Sequence, residues 1–428
     1  MSLLYLAGRH MNALAQSQLY AASSTYDNCS VEALFDNQPS NAFRFSTPAL
    51  DDNVKFDLSQ IENGDMETWV TADIPGGQFY DGSTGAGAID RSTTSHAGTY
   101  ACRMVGGGGE ARLENVVWLQ AGKPYTASAW LRGGSGTTYA YLRNAITGYY
   151  LTTSGAWQTG STTWGSRGIT TYSESTEHFT VQDFDTCGRN DMVPHLLRFY
   201  TTGTGYVDDI AIWPDWNFTS FHGHNFKGHY VDLKVQYDDN YAFSSPLTPA
   251  QWTNQKYPRA FFKSTISDVT QRYVRMLLNG TSVGDPIYVG EWVVGYTTEI
   301  DHMNDFPYTV TQQRPATGSQ FSRFSRASDG NVTLSLDFFA GGDGSAPTGI
   351  ISGDDGYGDF MEMMERCRNG VDPVVLVPDH LAGAIDYRPC YFGYFPTTNN
   401  FNRRFITRTE FKLQFEEMPF PYDLVSSI

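Results

Sequence analysis

Hydrophobic and polar positions alternate in short runs along most of this chain. In YVDLKVQY, Val231, Leu233, Val235 and Tyr237 share one side, and Asp232, Lys234 and Gln236 share the other, the period-two pattern of a half-buried antiparallel strand. VKFDLS from Val54 and RYVRMLL from Arg272 behave alike. In YTASAWLR the rule sets Tyr125, Ala127, Ala129 and Leu131 inward and Thr126, Ser128, Trp130 and Arg132 outward. In TTYAYLRN it sets Ala140 and Leu142 inward and Tyr139, Tyr141 and Arg143 outward. One segment breaks the pattern. GDFMEMMERCRNG predicts a helix capped by Asp359, with Phe360, Met363, Met364 and Cys367 as its apolar stripe and Gly370 as its stop. DPVVLVPD then reads as a buried strand. TEFKLQFEE, with Phe411, Leu413 and Phe415 inward, reads as an antiparallel strand at an edge open to another subunit.

The stretch VKFDLSQIENGDMETW joins halves that belong to different domains: VKFDLS sits inside one β domain, and IENGDMETW opens another. Strands resembling the first group resume after Pro214. Neither half has enough strands to close a sandwich alone, so a domain that stops near Ser59 and restarts near Trp216, with a guest entering at a surface loop, accounts for both. The expected fold is mainly β: two jelly-roll β-sandwiches, one inserted in the other, plus a small C-terminal α+β domain. The expected boundaries are residues 1–60 and 215–297 for the interrupted domain, 61–214 for the guest and 298–428 for the C-terminal part.

Three resemblances extend this reading. The run ALFDNQPSNAFRF to VKFDLS, then GHN, RYVRMLL and IYVGEWVVG, resembles the discoidin-type, galactose-binding-like jelly roll found in bacteriophage tail proteins, over roughly residues 20–60 and 215–297. The guest, with IENGDMETW, HAGTYACRM, AGKPYTASAWLRGG, GAWQTGSTTW and GYVDDIAIW in order, resembles the jelly-roll carbohydrate-binding modules related to families four, nine and twenty-two. The helix, the strand, YFGYF and RRFITRTEFKLQFEE resemble the small α+β domain of phage tail-tip and baseplate proteins, a weaker likeness.

Outward aromatic rings beside hydrogen-bonding side chains suit a pyranose, whose axial C–H groups stack on a flat ring while its hydroxyls take directional bonds. Trp130, Arg132, Tyr139, Tyr141 and Arg143 are therefore the candidate carbohydrate-binding residues, with both strands contributing to one platform. The alternative is that these rings pack beneath a loop or against a neighbouring subunit. Trp157 and Trp164 match family positions that look structural. The guest's resemblance also implies a structural calcium near its first and last strands, at positions matching Asp65, Glu67, Asp208 and Asp209; Asp65, Glu67 and Asp208 are the expected ligands, and solvated turn acids are the alternative.

Composition narrows the function. The 428 residues carry a formal charge of −17, and no Lys/Arg run offsets it, which opposes the phosphate neutralisation that nucleic-acid binding needs. The N-terminus lacks a basic leader, and no stretch has the ~18 apolar residues of a membrane span. Synthesis in the bacterial cytoplasm without export is expected. Cys29, Cys102, Cys187, Cys367 and Cys390 are odd in number and lack a CxxC, so buried free thiols are expected. His222 and His224 share one side of a strand but have no third ligand. GGDGSAPTG and SGDDGYGD read as acidic, Gly-rich loops.

No nucleophile elbow, HExxH, P-loop or dinucleotide fingerprint appears. A glycosidase's paired carboxylates need no sequence motif, but three small β-rich domains leave no room for a catalytic barrel. The expectation is a non-enzymatic component of a phage tail tip or baseplate, located in the virion. Its partners would be the tail tube, hub and fibres, copies of itself in a homo-oligomeric ring, and host surface polysaccharide. The alternative is a non-catalytic accessory subunit of a bacterial polysaccharide-degrading system.

Overall fold

The computed structural model describes residues 3–7, 11–25, 29–38, 41–45, 52–224, 231–253, 259–263, 268–280, 287–300, 309–313, 331–340, 357–368, 371–378, 390–395, 400–405 and 408–418. Antiparallel strands dominate them, with one α-helix among the described residues. The chain is a mostly β, multi-sheet protein. It divides into two compact units, Leu58–Asp215 and the remainder, Met1–Asp57 with Trp216–Ile428.

The Leu58–Asp215 unit is a sandwich of two antiparallel sheets. In the larger, seven-stranded sheet, Thr138–Asn144, Met192–Thr201, Ala111–Gln120 and Tyr80–Asp81 lie side by side in that order, flanked by Tyr150–Leu151, Trp157–Gln158 and Gly165–Arg167. The smaller has five strands, ordered Ser173–Thr180, Pro124–Gly133, Thr204–Pro214, Ala101–Val105 and Ala88–Ser92. One apolar core fills the space between them. Tyr125, Ala127, Ala129 and Leu131 enter it from one sheet, and Leu113, Ala140, Leu142, Leu197 and Phe199 from the other, so alternation along each strand dictates which side chains face in. Trp164 lies within this core and Trp157 packs against it.

The strand Thr204–Pro214 is bulged. Ser128 faces Ala211 and Trp130 faces Asp208, which leaves Asp209 and Ile210 opposite the single residue Ala129. Asp209 adopts the left-handed region at φ 47°, as the extra residue of a bulge often does. The freed Ile210 N–H donates to the Gly64 carbonyl at 2.8 Å. A Cβ on Gly64 would lie 1.9 Å from the Ile210 carbonyl oxygen, so only glycine lets the opening segment lie this close to the bulge.

In the other unit, a five-stranded sheet (Leu19–Ala22, Asp52–Asp57, Tyr273–Gly280, Val231–Asp238, Leu247–Thr253) faces a four-stranded one (Arg259–Lys263, Phe218–His224, Ile287–Gly295, Phe43–Phe45). Aromatic side chains bridge the two: Trp292 meets Phe56 at 5.5 Å, and Phe221 meets Trp252 at 5.6 Å. An eight-stranded sheet carries the C-terminal strands. On the four-stranded sheet's other side, Phe218 and Val293 share a core with Val375, Cys390 and Phe392, and His222 lies 5.4 Å from the Phe392 ring. Phe218–His224 is thus covered on both faces. His222 and His224 are buried on the same side of it.

Two expectations need correction. Residues 1–60 were expected to belong wholly to the interrupted sandwich, but Leu3–Ala7 pairs with Val374–Pro378 and Thr298–Ile300 in the eight-stranded sheet. Its Tyr5 and Leu6 are buried, and an uninterrupted apolar run suits a strand covered on both faces. The strand Arg408–Glu417 is not an open edge, because it pairs with Asn331–Ala340 on one side and with Asn400–Phe405 and Tyr391–Tyr394 on the other. The helix spans Tyr357–Arg366, with Met363, Met364 and Cys367 buried. Its expected stop at Gly370, the segment GGDGSAPTG and most of SGDDGYGD lie outside the described residues. Cys102, Cys187, Cys367 and Cys390 are buried thiols.

Candidate functional site

The outer face of the seven-stranded sheet carries a set of accessible aromatic and charged groups. Register sets them in rows across the strands. Tyr139 lies beside Tyr200, which lies beside Arg112; Tyr141 lies beside Arg198, then Glu114, then Tyr80; Arg143 lies beside Leu196, then Val116; Pro194 lies beside Trp118. Rows two residues apart are separated by about 7 Å, so Trp118 and the Tyr200 row stand about 20 Å apart along the sheet.

The chemistry differs between the two ends. Trp118 is 55% exposed and Val116 beside it 41%, which leaves an open indole with an aliphatic flank. At the other end, Tyr200 is sandwiched between Tyr139 (4.9 Å, 19°) and Tyr141 (5.0 Å, 15°). Rings stacked on one another hide their faces from a ligand, so this cluster offers edges and hydroxyls instead. The Tyr141 hydroxyl donates to that of Tyr200 at 3.1 Å, and Ser161 Oγ donates to the Tyr141 hydroxyl at 3.2 Å. Burial, followed by the Tyr141 hydrogen bond, pushes the Tyr200 phenol well above its ordinary value. The Tyr200 phenol therefore acts as a neutral donor and acceptor at physiological pH.

In the same rows as the tyrosines, on the neighbouring strands, lies a charged centre. Arg198 Nε donates to Glu114 Oε1 at 2.5 Å, and Arg112 Nε donates to Glu110 Oε2 at 2.8 Å. Burial, and then the charge of Glu114, raise the Tyr80 phenol, whose ring is 43% exposed. Arginine and carboxylate pairs of this kind are the fixed polar groups that orient a hydroxyl-rich ligand.

Of the five residues expected to bind sugar, Tyr139, Tyr141 and Arg143 belong to this face and Trp130 and Arg132 do not. Thr138–Asn144 is in the seven-stranded sheet and Pro124–Gly133 in the five-stranded one, and each points its alternate residues away from the shared core. The single platform expected from the two strands is therefore split between opposite outer faces of the sandwich. Trp130 is also covered. The His96 imidazole stacks on it at 3.5 Å and 11°, while Arg132 sits over Tyr206 at 4.9 Å and Tyr172 at 5.8 Å. This is the alternative of a ring packed beneath a loop.

The expected calcium ligands hold that loop down. Asp208 Oδ2 accepts from the His96 backbone N–H at 2.7 Å, Asp208 Oδ1 from that of Asp209 at 2.9 Å, and Asp209 Oδ2 lies 2.6 Å from His96 Nδ1. Glu67 Oε1 accepts from the backbone N–H groups of Thr99 (2.6 Å) and Tyr100 (2.9 Å). Asp65 is exposed and caps the Glu67 N–H at 3.4 Å. Calcium needs six to eight oxygens; here both Asp208 oxygens and one oxygen of Glu67 accept backbone N–H groups. Among the described residues, no three such side chains gather to hold a metal ion. In this structure Glu67 and Asp208 anchor the loop, and Asp65 caps the Glu67 N–H. Burial, outweighing these donors, and the charge of Asp209 raise the Asp208 carboxyl to about 7.

Trp118, Val116, Tyr80, Glu114, Arg198 and Tyr200 were not singled out from the sequence. Parity in ARLENVVWLQ and HLLRFYT sets all of them but Tyr80 outward by the rule applied to Trp130, although the adjacent polar pair Glu114 and Asn115 blurs it.

No protein-family model matches the chain, and no curated protein matches it. Solved structures do share part of its shape. The tailspike protein 4 enzymatically active domain of bacteriophage CBA120 is similar at TM-score 0.25 and 11% identity, over 36% of this chain and 21% of that one. The chain therefore spans about a fifth of the tailspike domain. The CBM22-1 xylan-binding domain of Paenibacillus barcinonensis Xyn10C is similar at TM-score 0.24 and 8% identity, over 35% of this chain and 89% of that one. TmCBM61, solved with β-1,4-galactotriose, is similar at TM-score 0.24 and 12% identity, over 36% of this chain and 98% of that one. Likeness this faint carries no ligand from one protein to another.

Proposed function

We propose that the chain is a non-catalytic saccharide-binding protein, and that its Leu58–Asp215 unit holds a glycan across the outer face of the seven-stranded sheet. The observation that carries this is the open Trp118 ring, 55% exposed, in register with a field of fixed hydrogen-bonding groups. Trp118 stacks on one sugar ring. Arg198, Glu114 and Tyr80 take the hydroxyls of the next units, and the Tyr139, Tyr141 and Tyr200 hydroxyls close the far end. A span of about 20 Å accommodates several sugar units rather than one.

The remaining unit serves as the carrier. On the resemblance of its strands to phage tail domains, the carrier docks on a tail tip or baseplate in the virion, among tail tube, hub and fibre proteins and copies of itself in a ring. The glycan is then host surface polysaccharide.

The test is a glycan array and calorimetric titration of the full chain and Trp118→Ala. Aromatic contacts are worth roughly 0.5–1.5 kcal/mol beyond area burial, so the variant should bind about tenfold more weakly with an unchanged melt. Equal binding by both proteins, or binding of no glycan by the wild type, would reject the reading.

A further inference from the structure

Arg143 is the cation that the charged centre does not use. Arg112 and Arg198 each have a carboxylate, Glu110 and Glu114, whereas Arg143 is exposed and makes no ion pair among the described residues. It is nevertheless held in place. Its guanidinium carbon lies 5.7 Å over the Tyr150 ring, and Tyr150 meets Tyr141 edge-on at 5.9 Å. The strand ends immediately after it in a tight turn. Asn144 Oδ1 accepts from the backbone N–H groups of Ile146 (2.9 Å) and Thr147 (3.1 Å), and the Gly148 N–H donates to the Asn144 carbonyl at 2.9 Å. Gly148 has φ 76°, and a Cβ there would approach the Arg143 guanidinium at 3.5 Å. The turn thus fixes the strand end from which Arg143 projects beside the tyrosine stack, in the row next to Tyr141.

From this placement we infer that the face selects acidic saccharides, with Arg143 pairing a carboxylate or phosphate on the sugar unit that lies against Tyr141 and Tyr150. This inference rests on the saccharide-binding reading above. A guanidinium offers a planar fork of donors that matches a carboxylate or phosphate in two-point geometry. It costs little to use here, because the stem is already ordered and no resident anion must be displaced. In a chain of net charge −17, long-range repulsion disfavours anionic ligands, so selection for one must come from a local, fixed cation such as this.

The experiment uses the full chain on an array bearing uronate-containing and phosphodiester-containing oligosaccharides, each beside a neutral glycan of the same backbone, followed by titrations at 50 and 500 mM NaCl. Wild type should bind an acidic member about tenfold or more tightly than its neutral counterpart, and lose several-fold in affinity at the higher salt. Arg143→Gln should erase the preference and the salt effect, bringing acidic and neutral partners to the same affinity, and Arg143→Lys should restore part of both. The uronate and phosphodiester arms identify which anion is taken. If wild type binds acidic and neutral partners equally, or if Arg143→Gln leaves the preference intact, the charge selection is wrong and saccharide binding stands. If no glycan of either class binds, both readings fall.

Discussion

Trp118 and Trp130 are the same residue type, each projecting outward from a ten-residue strand of the inserted sandwich, yet their surroundings are opposite. Trp118 is 55% exposed, while Trp130 is half-buried beneath His96 at 3.5 Å. Strand parity decides the direction of a side chain, and it is the same for both. Accessibility is decided by what crosses the strand afterwards. Over Trp130 runs a loop that Glu67, Asp208 and Asp209 hold through hydrogen bonds to the Thr99, Tyr100 and His96 positions. An outward aromatic with an anchored loop above it is packing; one without is a surface for a ligand.

The largest expected effect is a crossed pair of phenotypes. Trp130→Ala should lower stability by about 2 kcal/mol, less than the roughly 3–5 of a fully buried aromatic, and leave glycan affinity unchanged. Trp118→Ala should do the reverse. Denaturant unfolding and titration of both variants check this, and a binding defect in Trp130→Ala at full stability would erase the distinction between the faces.

Next in size is a pH effect confined to the covered side. The Asp208 carboxyl, raised to about 7 from an ordinary 3.8, stays protonated in the folded state after the unfolded chain has lost that proton. Its contribution to stability is therefore fully present below about pH 4 and is lost as pH rises through 7. The decline should be on the order of 1–3 kcal/mol, because one pKa unit corresponds to about 1.4 kcal/mol and relaxation of the loop around the ionised carboxylate recovers part of the full shift. Unfolding midpoints of wild type against Asp208→Asn between pH 4 and 8 measure it. A variant as pH-dependent as the wild type would place the proton elsewhere.

How much of this was legible beforehand follows from the same residues. The inward sets of YTASAWLR and TTYAYLRN are buried as alternation requires, because alternation is a property of a single strand. Pairing is not. Pro124–Gly133 and Thr138–Asn144 are separated by only four residues, GSGT, yet they join different sheets. The crossing is possible because Gly136 and Gly203 touch backbone to backbone: a Cβ on Gly136 would sit 3.0 Å from the Gly203 Cα. Nothing in the local pattern distinguishes such a crossing from a hairpin, so the candidate platform was drawn from two faces. Trp118 was hidden for a different reason. Its strand buries both Glu114 and Asn115, and two adjacent polar residues blur the alternation that marks the outer face. Glu114 is buried because it pairs with Arg198 from the neighbouring strand, a partner that only the register supplies.

The smallest expected effect separates stacking from hydrogen bonding on the open face itself. Tyr141 and Tyr200 hide their ring faces against each other at 5.0 Å and present hydroxyls linked at 3.1 Å, so the tyrosine end should contribute through oxygen rather than through its π-surface. Tyr141→Phe keeps the ring stack and removes one hydroxyl. It should leave the melt within about 0.5–1.5 kcal/mol of wild type, the net worth of one hydrogen bond, and weaken glycan binding by only a few-fold. Tyr141→Ala, which also opens the stack, should cost clearly more in stability and little more in affinity. If the two variants bind alike but Tyr141→Phe binds as well as wild type, the hydroxyl row is not a contact. The glycan would then lie toward Trp118 and Tyr80, over Val116 and the Arg198–Glu114 pair.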